Sequence, residues 1–600
     1  MSKASIKASA PKAATKEKNL LYYGDNLADI KKYIKDDTID LCYIDPPFNS
    51  KRNYNQIYNN IGKEDQAQAQ AFIDTWTWDN IAEAGLEEII NNTTNVFTIQ
   101  TIELIIGLER VLSKGSLFSY LVHIALRVSQ IYRVLKPTGS FYLHCDPTAS
   151  HYLKILVDSI FCSHKGIFQN EIIWRRTGSH NSRRSFGPIH DVILFYTKTD
   201  KYTFNIVKRP YMAGHVKSRY TEDKKGLKFT SGGNILSGAG KTNGDSGKVW
   251  RGFDPSSKNR HWAVPGFLTE DLDDEFNDLP LLDKLEGLYQ MGRIEIIGNN
   301  EWPTPVRYLK PNDGQPIQDI WTYQPYTEGI VYGSKFGIDE DVAWLGTTDP
   351  ERLGYPTQKP EGLLERIIKA SSNEGDLILD AYCGCGTTIA VAEKLKRNWI
   401  GIDITYQSIS LMLRRLEDSF GKNILDTIEL NGVPKDINSA IALANKKEDK
   451  TRKEFEKWIA LTFTNNRARI NEKKGGDGGI DGVVLIVDLE NNKPVYKRVI
   501  ISVKSDKKLT PSVIRELNGT MEREQAVMGF LLTLYPMENL VKESKVHGNY
   551  TNKLTHHQYS KIQVVSTQQI FNGIRMELPT SKEVLKDADR KDDTIQTEIF

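Results

Sequence analysis

Apolar runs of strand length alternate with helical spacing in the first third of the chain. The run at 20–23 is followed by a Gly-Asp turn and a helical pattern that continues to Ile34, and a second run occupies 39–44. Between 66 and 135 the apolar spacing is largely helical, and another short apolar run follows at 140–144. Strands that alternate with helices in this way predict an α/β domain.

The pattern changes twice further along the chain. Between 200 and 348 regular spacing gives way to short segments rich in Gly, Pro, Asn and aromatic residues, as expected of a loop-rich insert. From 359 to 404 the order helix, strand, glycine loop, helix and strand returns. The predicted organisation is a disordered basic tail (1–18), a first α/β domain (19–430) with an insert (200–348), a linker (431–453), a second α/β domain (454–580) and a flexible tail (581–600).

The run at 39–44 ends in a distinctive quartet, Asp45-Pro46-Pro47-Phe48. A carboxylate and the carbonyl of Pro46 can accept the two hydrogens of an exocyclic amino group, which draws its nitrogen towards tetrahedral geometry. Phe48 can stack on a base that has left the duplex, and the prolines hold the acceptors rigid. A strand that merely ends in a Pro-Pro turn is the alternative for this motif taken alone.

A glycine loop follows the strand that ends at Asp380, with Cys383, Gly384, Gly386 and Thr387 in the loop and at the start of the next helix. A second strand ends at Asp403, at about the distance expected of an acid that binds ribose hydroxyls. A nicotinamide dinucleotide would favour a further glycine where this chain has Ile389. The pattern therefore favours a nucleoside without phosphates, and S-adenosylmethionine (SAM) is such a ligand.

Together these motifs resemble the β class of DNA amino-methyltransferases, a circularly permuted SAM-dependent fold, over most of residues 20–420. The resemblance also includes 23–27, 190–196 and 355–360. It implies a Rossmann-like methyltransferase domain whose insert recognises the target. The implied cofactor residues are Asp25, Thr357, Gln358, Lys359, Asp380, Cys383, Gly384, Gly386, Thr387 and Asp403. The chain departs from the common pattern at Ala381-Tyr382 and at Cys385, which leaves the packing on the cofactor open.

The base is only partly specified by the resemblance. Asp before Pro-Pro is commoner among relatives that act on adenine, so Asp45 favours the N6 amino group of adenine and leaves the N4 amino group of cytosine as the alternative. Asp146, in the sequence His-Cys-Asp-Pro, could imitate a second catalytic acid, although we expect a structural strand end there.

Four arginines bracket a polar loop and are candidates for phosphate contact with double-stranded DNA: Arg175, Arg176, Arg183 and Arg184. A solvated loop is the alternative. Trp76 and Trp78 could line a target pocket or pack in the core. Sequence specificity is expected in the insert, for example around 248–253 and 260–262, but no recognition sequence can be derived from it.

The last domain resembles Mrr-like restriction endonucleases of the PD-(D/E)xK class, through Glu456, a Gly-rich segment at 475–482 and a strand that ends at Lys504. The resemblance implies that Asp481 binds a metal, with Mg²⁺ as the candidate, that Lys504 stabilises charge at the phosphate, and that Glu456 is a further acid. Ser502 stands where Gln or Glu is usual, which puts cleavage in doubt. A structural α/β module is the alternative.

Composition adds few constraints. The 600-residue chain carries 79 Lys and Arg against 77 Asp and Glu, so a DNA surface requires local segregation of charge. Five cysteines without paired ligand spacing suggest reduced thiols and a cytoplasmic protein. No run suits a membrane span or a signal peptide, and a homodimer is left open.

Three functions compete at this point. The leading one is a site-specific adenine methyltransferase with a fused endonuclease domain that is either active or degenerate. The second is a restriction effector whose methyltransferase half mainly recognises DNA. The third is a DNA-binding protein without catalytic activity.

Overall fold

A computed structural model of the chain describes residues 18–48, 76, 78–178, 185–229, 236–296, 302–346, 348–355, 357–434, 436–444, 449–464, 468–470, 479–490, 493–554 and 556–576. Residues 1–17 of the predicted basic tail and the whole predicted tail at 581–600 lie outside these ranges. The chain divides into two compact units: 206–318 together with 322–340 form one, and the remainder forms the other. The insert predicted at 200–348 thus corresponds to a separate unit, except for short pieces at its ends and at 319–321.

The first part of the larger unit alternates strands and helices as the sequence predicts. Its elements are β1 (Asn19–Tyr23), α1 (Asn26–Tyr33), β2 (Ile39–Ile44), α2 (Asn80–Asn91), α3 (Ile99–Leu112), α4 (Ser116–Val134), β3 (Leu135–Cys145), α5 (Ser150–Phe161), β4 (Ile167–Arg175) and β5 (His190–Thr197). The helical stretch predicted from 66 to 135 is therefore three helices where it is described, and residues 66–75 lie outside the described ranges.

The insert unit consists of short elements and long loops. They are β6 (Lys208–Pro210), α6 (Ala213–Arg219), β7 (Tyr220–Asp223), β8 (Gly226–Phe229), β9 (Ser237–Ala239), β10 (Arg260–Trp262), α7 (Asp274–Asn277), α8 (Leu281–Gln290), β11 (Ile294–Glu295), β12 (Thr304–Pro305) and β13 (Gly314–Pro316). Its core is built around Trp250 and Trp262, whose rings meet edge to face, and Trp302 stacks on Trp262. These tryptophans stabilise the unit from within.

After the insert, the chain completes the main sheet and then builds the second α/β region. The remaining elements are β14 (Ile320–Trp321), α9 (Glu361–Ser371), β15 (Leu377–Asp380), α10 (Thr387–Lys394), β16 (Asn398–Asp403), α11 (Tyr406–Phe420), β17 (Ile428–Asn431), α12 (Ile437–Ala444), α13 (Asp449–Phe463), β18 (Arg469–Ile470), β19 (Gly482–Glu490), β20 (Lys493–Lys504), α14 (Ser512–Arg523), β21 (Ala526–Thr533), α15 (Glu538–Ser544), β22 (Asn549–Thr551), β23 (Gln558–Ser560), β24 (Ile562–Ser566) and α16 (Thr567–Phe571).

The main sheet has the strand order β14-β4-β5-β3-β2-β15-β16-β1-β17 in the described part of the chain. Only β5 among these strands runs antiparallel to its neighbours. The strand β2 lies in the middle, and five of its six residues are buried, as expected for a parallel strand covered on both faces. Because β2 pairs with β15, the end of the strand before Asp45 lies beside the end of the strand at Asp380.

The second α/β region contains a five-stranded sheet of order β18-β19-β20-β21-β24. Ile500, Ile514 and Leu531 lie in the core between this sheet and α14. The linker predicted at 431–453 is partly wrong, because β17 ends within it, α12 occupies 437–444 and α13 begins at 449. Ala440 and Ala444 are buried where α12 packs on α13, since an apolar helix face excludes water by such packing. This region belongs to the same compact unit as the main sheet.

Candidate active site

The carboxyl ends of four adjacent parallel strands, β2, β15, β16 and β1, meet at one edge of the main sheet. A cavity of about 300 Å³ opens there, at the lower end of the size range of small-molecule sites. It is lined by the quartet from Asp45 to Phe48 and by the predicted cofactor residues Asp25, Thr357, Gln358, Lys359, Asp380, Cys383, Gly384, Thr387 and Asp403. The fold thus joins two motifs that lie more than 300 residues apart in the chain.

Asp45 forms an ion pair in the cavity. The ammonium group of Lys359 forms an ion pair with its Oδ2, and the side chains of both residues are largely buried. The same ammonium lies 5.4 Å from the centre of the Phe48 ring. Lys359 therefore holds a positive charge between the carboxylate and the aromatic face that were predicted to bind a base.

A buried hydrogen-bond chain lies behind Phe48. The His144 ring packs 5.8 Å from the Phe48 ring, and its two nitrogens face the Tyr43 hydroxyl at 2.9 Å and Asp191 at 3.2 Å. Because an ionised carboxylate only accepts, Nε2 of His144 donates to Asp191, while Nδ1 of the same ring is hydrogen-bonded to the Tyr43 hydroxyl. Asp191 also pairs with Arg176 at 2.9 Å. The network fixes the ring on which Phe48 rests.

The electrostatics of Asp191 follow from these partners. Burial raises the pKa of Asp191, but the hydrogen bond and the charge interaction with His144, followed by the charges of Arg176 and Lys359, outweigh it, so that the pKa lies below its ordinary value. Sequence reasoning placed Arg176 on the DNA, whereas the structure gives it this buried partner.

Asp146 accepts hydrogen bonds from the backbone and hydroxyl of Thr148 and forms the turn before α5.

The glycine loop is shaped by two backbone positions in the left-handed region. Gly384 has φ 50°, and a Cβ there would lie 3.1 Å from the Tyr355 ring. Gly386 has φ 74°, and a Cβ would lie 2.4 Å from Cγ of Met412. Gly386 does not line the cavity, in contrast to its prediction as a cofactor contact; it lets α10 begin at Thr387 against α11.

Asp403 connects the loop to the next helix. Its Oδ2 accepts from the Gly384 N–H at 2.9 Å, and its Oδ1 accepts from the Thr405 N–H at 2.9 Å. Burial raises the pKa of Asp403 to about 6. Oδ1 also accepts from the Thr405 hydroxyl at 3.1 Å, whereas Oδ2 retains a lone pair and can still accept from a ligand hydroxyl in the cavity.

Asp380 is the most deeply buried acid at the cavity. Only 2% of its surface is exposed, and its carboxylate accepts from the Tyr382 N–H at 2.9 Å. Burial raises its pKa to about 7, with a contribution from the nearby charge of Asp45. Asp45, Asp380 and Asp403 together give the cavity an acidic wall.

Residues 357–359 also line the cavity, and hydrogen bonds hold this segment in place. The Gln358 side chain donates to the carbonyl of Glu351 at 2.8 Å and accepts from the Leu353 N–H at 2.8 Å, so it stabilises its own loop. The carbonyl of Lys359 accepts from the Thr387 hydroxyl at 3.2 Å. The contact of Lys359 with Thr387 connects the segment to the first turn of α10. Gln358 lines the cavity, but its side-chain oxygen and nitrogen are already hydrogen-bonded within its own loop.

Sequence reasoning missed a group of polar residues on α4 and α1. Arg127 forms an ion pair with Asp25 at 2.8 Å and donates to Asn26, which in turn donates to the carbonyl of Ala381 at 2.7 Å. His123 hydrogen-bonds the Tyr382 hydroxyl at 2.8 Å. His123 and Arg127 lie one helical turn apart, so a search for polar pairs at spacing four in the predicted helix could have found them. Asp25 itself caps α1 through the Ala28 N–H.

The residues at the cavity fit SAM better than a phosphate-bearing cofactor. Asp45 is paired with Lys359, but the buried acids Asp380 and Asp403 favour the cationic sulfonium of SAM over a pyrophosphate. Asp403 lies where ribose hydroxyls can donate to it. The Cys383 thiol donates to the carbonyl of Ile402, and Cys385 lies 3.7 Å from the Thr387 hydroxyl, so both thiols pack inside the loop.

The other predicted DNA contacts are only partly described. The Arg175 side chain donates to the carbonyl of Thr177 and lies 5.1 Å from the centre of the Trp344 ring. Arg183 and Arg184 lie outside the described residues. Trp78 stacks on Phe118 at 5.3 Å, which is core packing, whereas Trp76 lies against His123 and lines the cavity.

In the second α/β region, Asp481 lies beside the strand that carries Ser502 and Lys504. Its Oδ2 accepts from the Val503 N–H at 2.6 Å, and Ser502 is buried. Glu456 lies in the middle of α13. Across the described ranges no group of three or more His, Cys, Asp or Glu side chains is arranged to hold a metal ion. Residues 475–478 of the Gly-rich segment lie outside the described ranges.

Both parts of the chain match families of known proteins. A family model described as DNA methylase, of the N6 and N4 type, matches residues 39–413, and the Mrr catalytic model, described as restriction endonuclease, matches residues 448–550. The chain belongs to this DNA methylase family and carries a C-terminal Mrr-type restriction endonuclease domain.

Two curated relatives and one solved structure illustrate the likeness. The type II methyltransferase M.EcaI of Enterobacter cloacae is 28% identical over 50% of this chain and 57% of its own length. The DNA adenine methyltransferase YhdJ of Escherichia coli is 24% identical over 67% of this chain and 83% of its own. The M1.HpyAVI–SAM complex is 13% identical over 66% of this chain and 98% of its own, with a TM-score of 0.29.

The chain thus spans little more than half the length of the Enterobacter relative. Within the described residues, no helix is both long enough and apolar enough to cross a membrane.

Proposed function

We propose that this protein transfers a methyl group from SAM to the N6 amino group of adenine in double-stranded DNA. The observation that carries the proposal is the single cavity that holds both Asp45 to Phe48 and the glycine loop at Gly384. A methyl donor bound along the loop and a base held by the quartet would meet within it. The family membership and the name of the Escherichia coli relative support the same choice.

The roles of the chain's residues follow from their chemistry. Asp45 accepts one amino hydrogen and the carbonyl of Pro46 accepts the other, so the nitrogen lone pair is freed from the ring. Phe48, supported by His144, stacks on the extruded base. Asp45 also receives the proton that the nitrogen loses when its new N–C bond forms. SAM, when bound, would supply the methyl group through cleavage of its S–CH₃ bond and would leave as S-adenosylhomocysteine.

Lys359 must move in this scheme, because its ammonium occupies the acceptor that the base needs. The three acids of the cavity wall attract the cationic end of the cofactor, and Asp403 accepts from its ribose. Asp25, held by Arg127, follows Gly24, whose N–H donates to the carbonyl of Asp403, and Asp25 is proposed to contact the nucleoside.

The test is transfer of labelled methyl from SAM to unmethylated DNA, followed by mass spectrometry of the digested nucleosides. We expect N6-methyladenine from the natural protein and none from Asp45→Ala. The matched control is Asp36→Ala, which removes an exposed carboxylate that pairs with Arg133, and it should retain activity. N4-methylcytosine would change the base but keep the mechanism, and no methylated base from diverse DNA would refute the proposal.

A second candidate is restriction by the C-terminal domain, with the methyltransferase part serving for recognition. It is favoured by the Mrr-type match and by the contact of Asp481 with the strand of Lys504. Cleavage of DNA in the presence of Mg²⁺ by the natural protein, lost in Asp481→Ala and Lys504→Ala, would establish it. The cytoplasmic location and the homodimer stay predictions.

A further inference from the structure

The first long helix of the endonuclease domain, α13, lies against the part of the methylase that follows Asp403. The Tyr23 hydroxyl donates to Oε2 of Glu454 at 2.6 Å. The Tyr406 hydroxyl lies 3.2 Å from Oγ1 of Thr462. These contacts join the two family domains by hydrogen bonds at two positions two turns apart on one helix.

Both tyrosines adjoin residues of the cavity. Tyr23 ends β1, and Gly24 after it lines the cavity and donates its N–H to the carbonyl of Asp403 at 3.0 Å. Tyr406 follows Thr405, whose N–H and hydroxyl both donate to the Asp403 carboxylate. Tyr23 is thus two residues from Asp25, and Tyr406 is three residues from Asp403, the two acids proposed to contact the nucleoside.

The junction between α13 and the two tyrosines, Tyr23 and Tyr406, is buried and includes charged groups. Tyr406 is 4% exposed, and its ring meets that of Tyr23 edge to face at 5.6 Å. The second oxygen of Glu454 pairs with Lys457 at 3.1 Å, so both oxygens of the carboxylate are engaged. Burial and then the charge of Glu454 raise the pKa of Tyr23, which keeps its hydroxyl protonated as a donor. Hydrogen bonds to an ionised acceptor are among the stronger ones in proteins.

We infer that the endonuclease domain completes the nucleoside end of the methylase's cofactor site, with Glu454 and Thr462 as positioning residues that hold Tyr23 and Tyr406. Binding of the nucleoside then stabilises α13 against local unfolding, and a well-folded α13 raises the affinity for the nucleoside by the same coupling free energy. The inference rests on the proposed function, since it takes SAM as the ligand.

The first test is calorimetric binding of SAM and of S-adenosylhomocysteine to the full chain. Tyr23→Phe removes the hydroxyl that reaches Glu454, and we expect its Kd to rise about 3- to 10-fold. Tyr550→Phe is the matched control, because it removes a similar hydrogen bond, at 2.7 Å to Asp488, inside the endonuclease domain. That variant should bind both ligands as the natural protein does.

A second pair of variants separates the hydrogen bond from a general loss of stability. Glu454→Gln keeps an oxygen that can accept from Tyr23, whereas Glu454→Ala does not. We expect Glu454→Gln to bind SAM nearly normally and Glu454→Ala to match Tyr23→Phe. At saturating SAM the turnover number should change little in all of them, since the altered groups lie outside the reacting atoms.

Hydrogen exchange supplies a readout besides activity. In the natural protein SAM should slow exchange of the amides in α13, and this protection should fall in Tyr23→Phe. Unchanged affinity in Tyr23→Phe together with unchanged exchange in α13 would overturn the inference while leaving the methyltransferase proposal intact. If the natural protein binds neither SAM nor S-adenosylhomocysteine, the cofactor proposal fails, and the inference fails with it.

Discussion

Lys359 and Asp45 form an ion pair across 314 residues of sequence, at the point where the two halves of the active site meet. Lys359 follows the insert and belongs to the predicted cofactor segment, whereas Asp45 belongs to the predicted catalytic quartet. The pair neutralises Asp45 in the absence of a base and also spans the cavity. In the proposed mechanism, methyl transfer requires that the two side chains separate.

The pair should be measurable as a coupling free energy. Lys359→Met leaves a largely buried carboxylate without its cation, so we expect the free energy of unfolding to fall by about 2 kcal/mol. In an Asp45→Asn background the same change should cost much less, because no charge is left unpaired. Urea unfolding of the four proteins completes the cycle, and equal costs in both backgrounds would contradict the pairing.

The stability of the protein should depend on pH through Asp380. Its pKa is raised to about 7 in the folded state, so protonation favours folding, and this contribution is complete below the ordinary value near 4 and is lost as the pH rises through 7. Asp380→Asn cannot ionise, and we expect it to be more stable than the natural protein at pH 8. Thermal unfolding from pH 5 to 8 tests this, and parallel profiles of the two proteins would exclude the role of Asp380.

Asp191 should act in the opposite sense. Its pKa is lowered in the folded state, so its contribution to stability is present above the ordinary value near 4 and is lost as the pH falls through the folded value. Asp191→Asn leaves Arg176 and the Nε2–H of His144 without their anion, and a loss of about 2 kcal/mol at pH 7 is expected. Chemical denaturation at pH 7 and well below pH 4 should show the difference shrinking in acid. A difference that grows in acid would refute the assignment.

A side chain at Gly386 should destabilise the folded protein. Its φ of 74° is unfavourable for other residues, and a Cβ would lie 2.4 Å from Cγ of Met412. Gly386→Ala should therefore cost about 1–3 kcal/mol in the free energy of unfolding. Gly107→Ala in α3 is the control: a Cβ there meets nothing within 4 Å, and a gain of about 0.5–1 kcal/mol is expected. Urea midpoints of the two variants should move in opposite directions.

Local pattern was sufficient for the order of the elements and for most of the site. The strand before Asp45, the glycine loop after Asp380 and the acid at Asp403 follow from short-range rules: apolar runs bury, small residues permit tight turns, and polar groups collect at strand ends. Because the strands are parallel, these rules also predict that their ends lie at one edge of a sheet.

Other features depend on which side chains meet across the fold. Nothing in the sequence near Lys359 indicates Asp45 as its partner, or shows that Gln358 bonds within its own loop. Asp25 is 102 residues from its partner Arg127, and Asp191 meets Arg176 only because β5 pairs with β4, so spacing along the chain does not reveal these pairs. The contact of Tyr23 with Glu454 arises only when the endonuclease domain packs on α11.

The sequence by itself determined the class of fold, the two catalytic motifs and the family resemblances of both domains, because each depends on residues close together in the chain. Only the tertiary structure decided the charge pairs, the buried network behind Phe48 and the junction between the domains. The physical reason is that burial and partner choice are set by long-range packing, and these determine which polar groups are free to act.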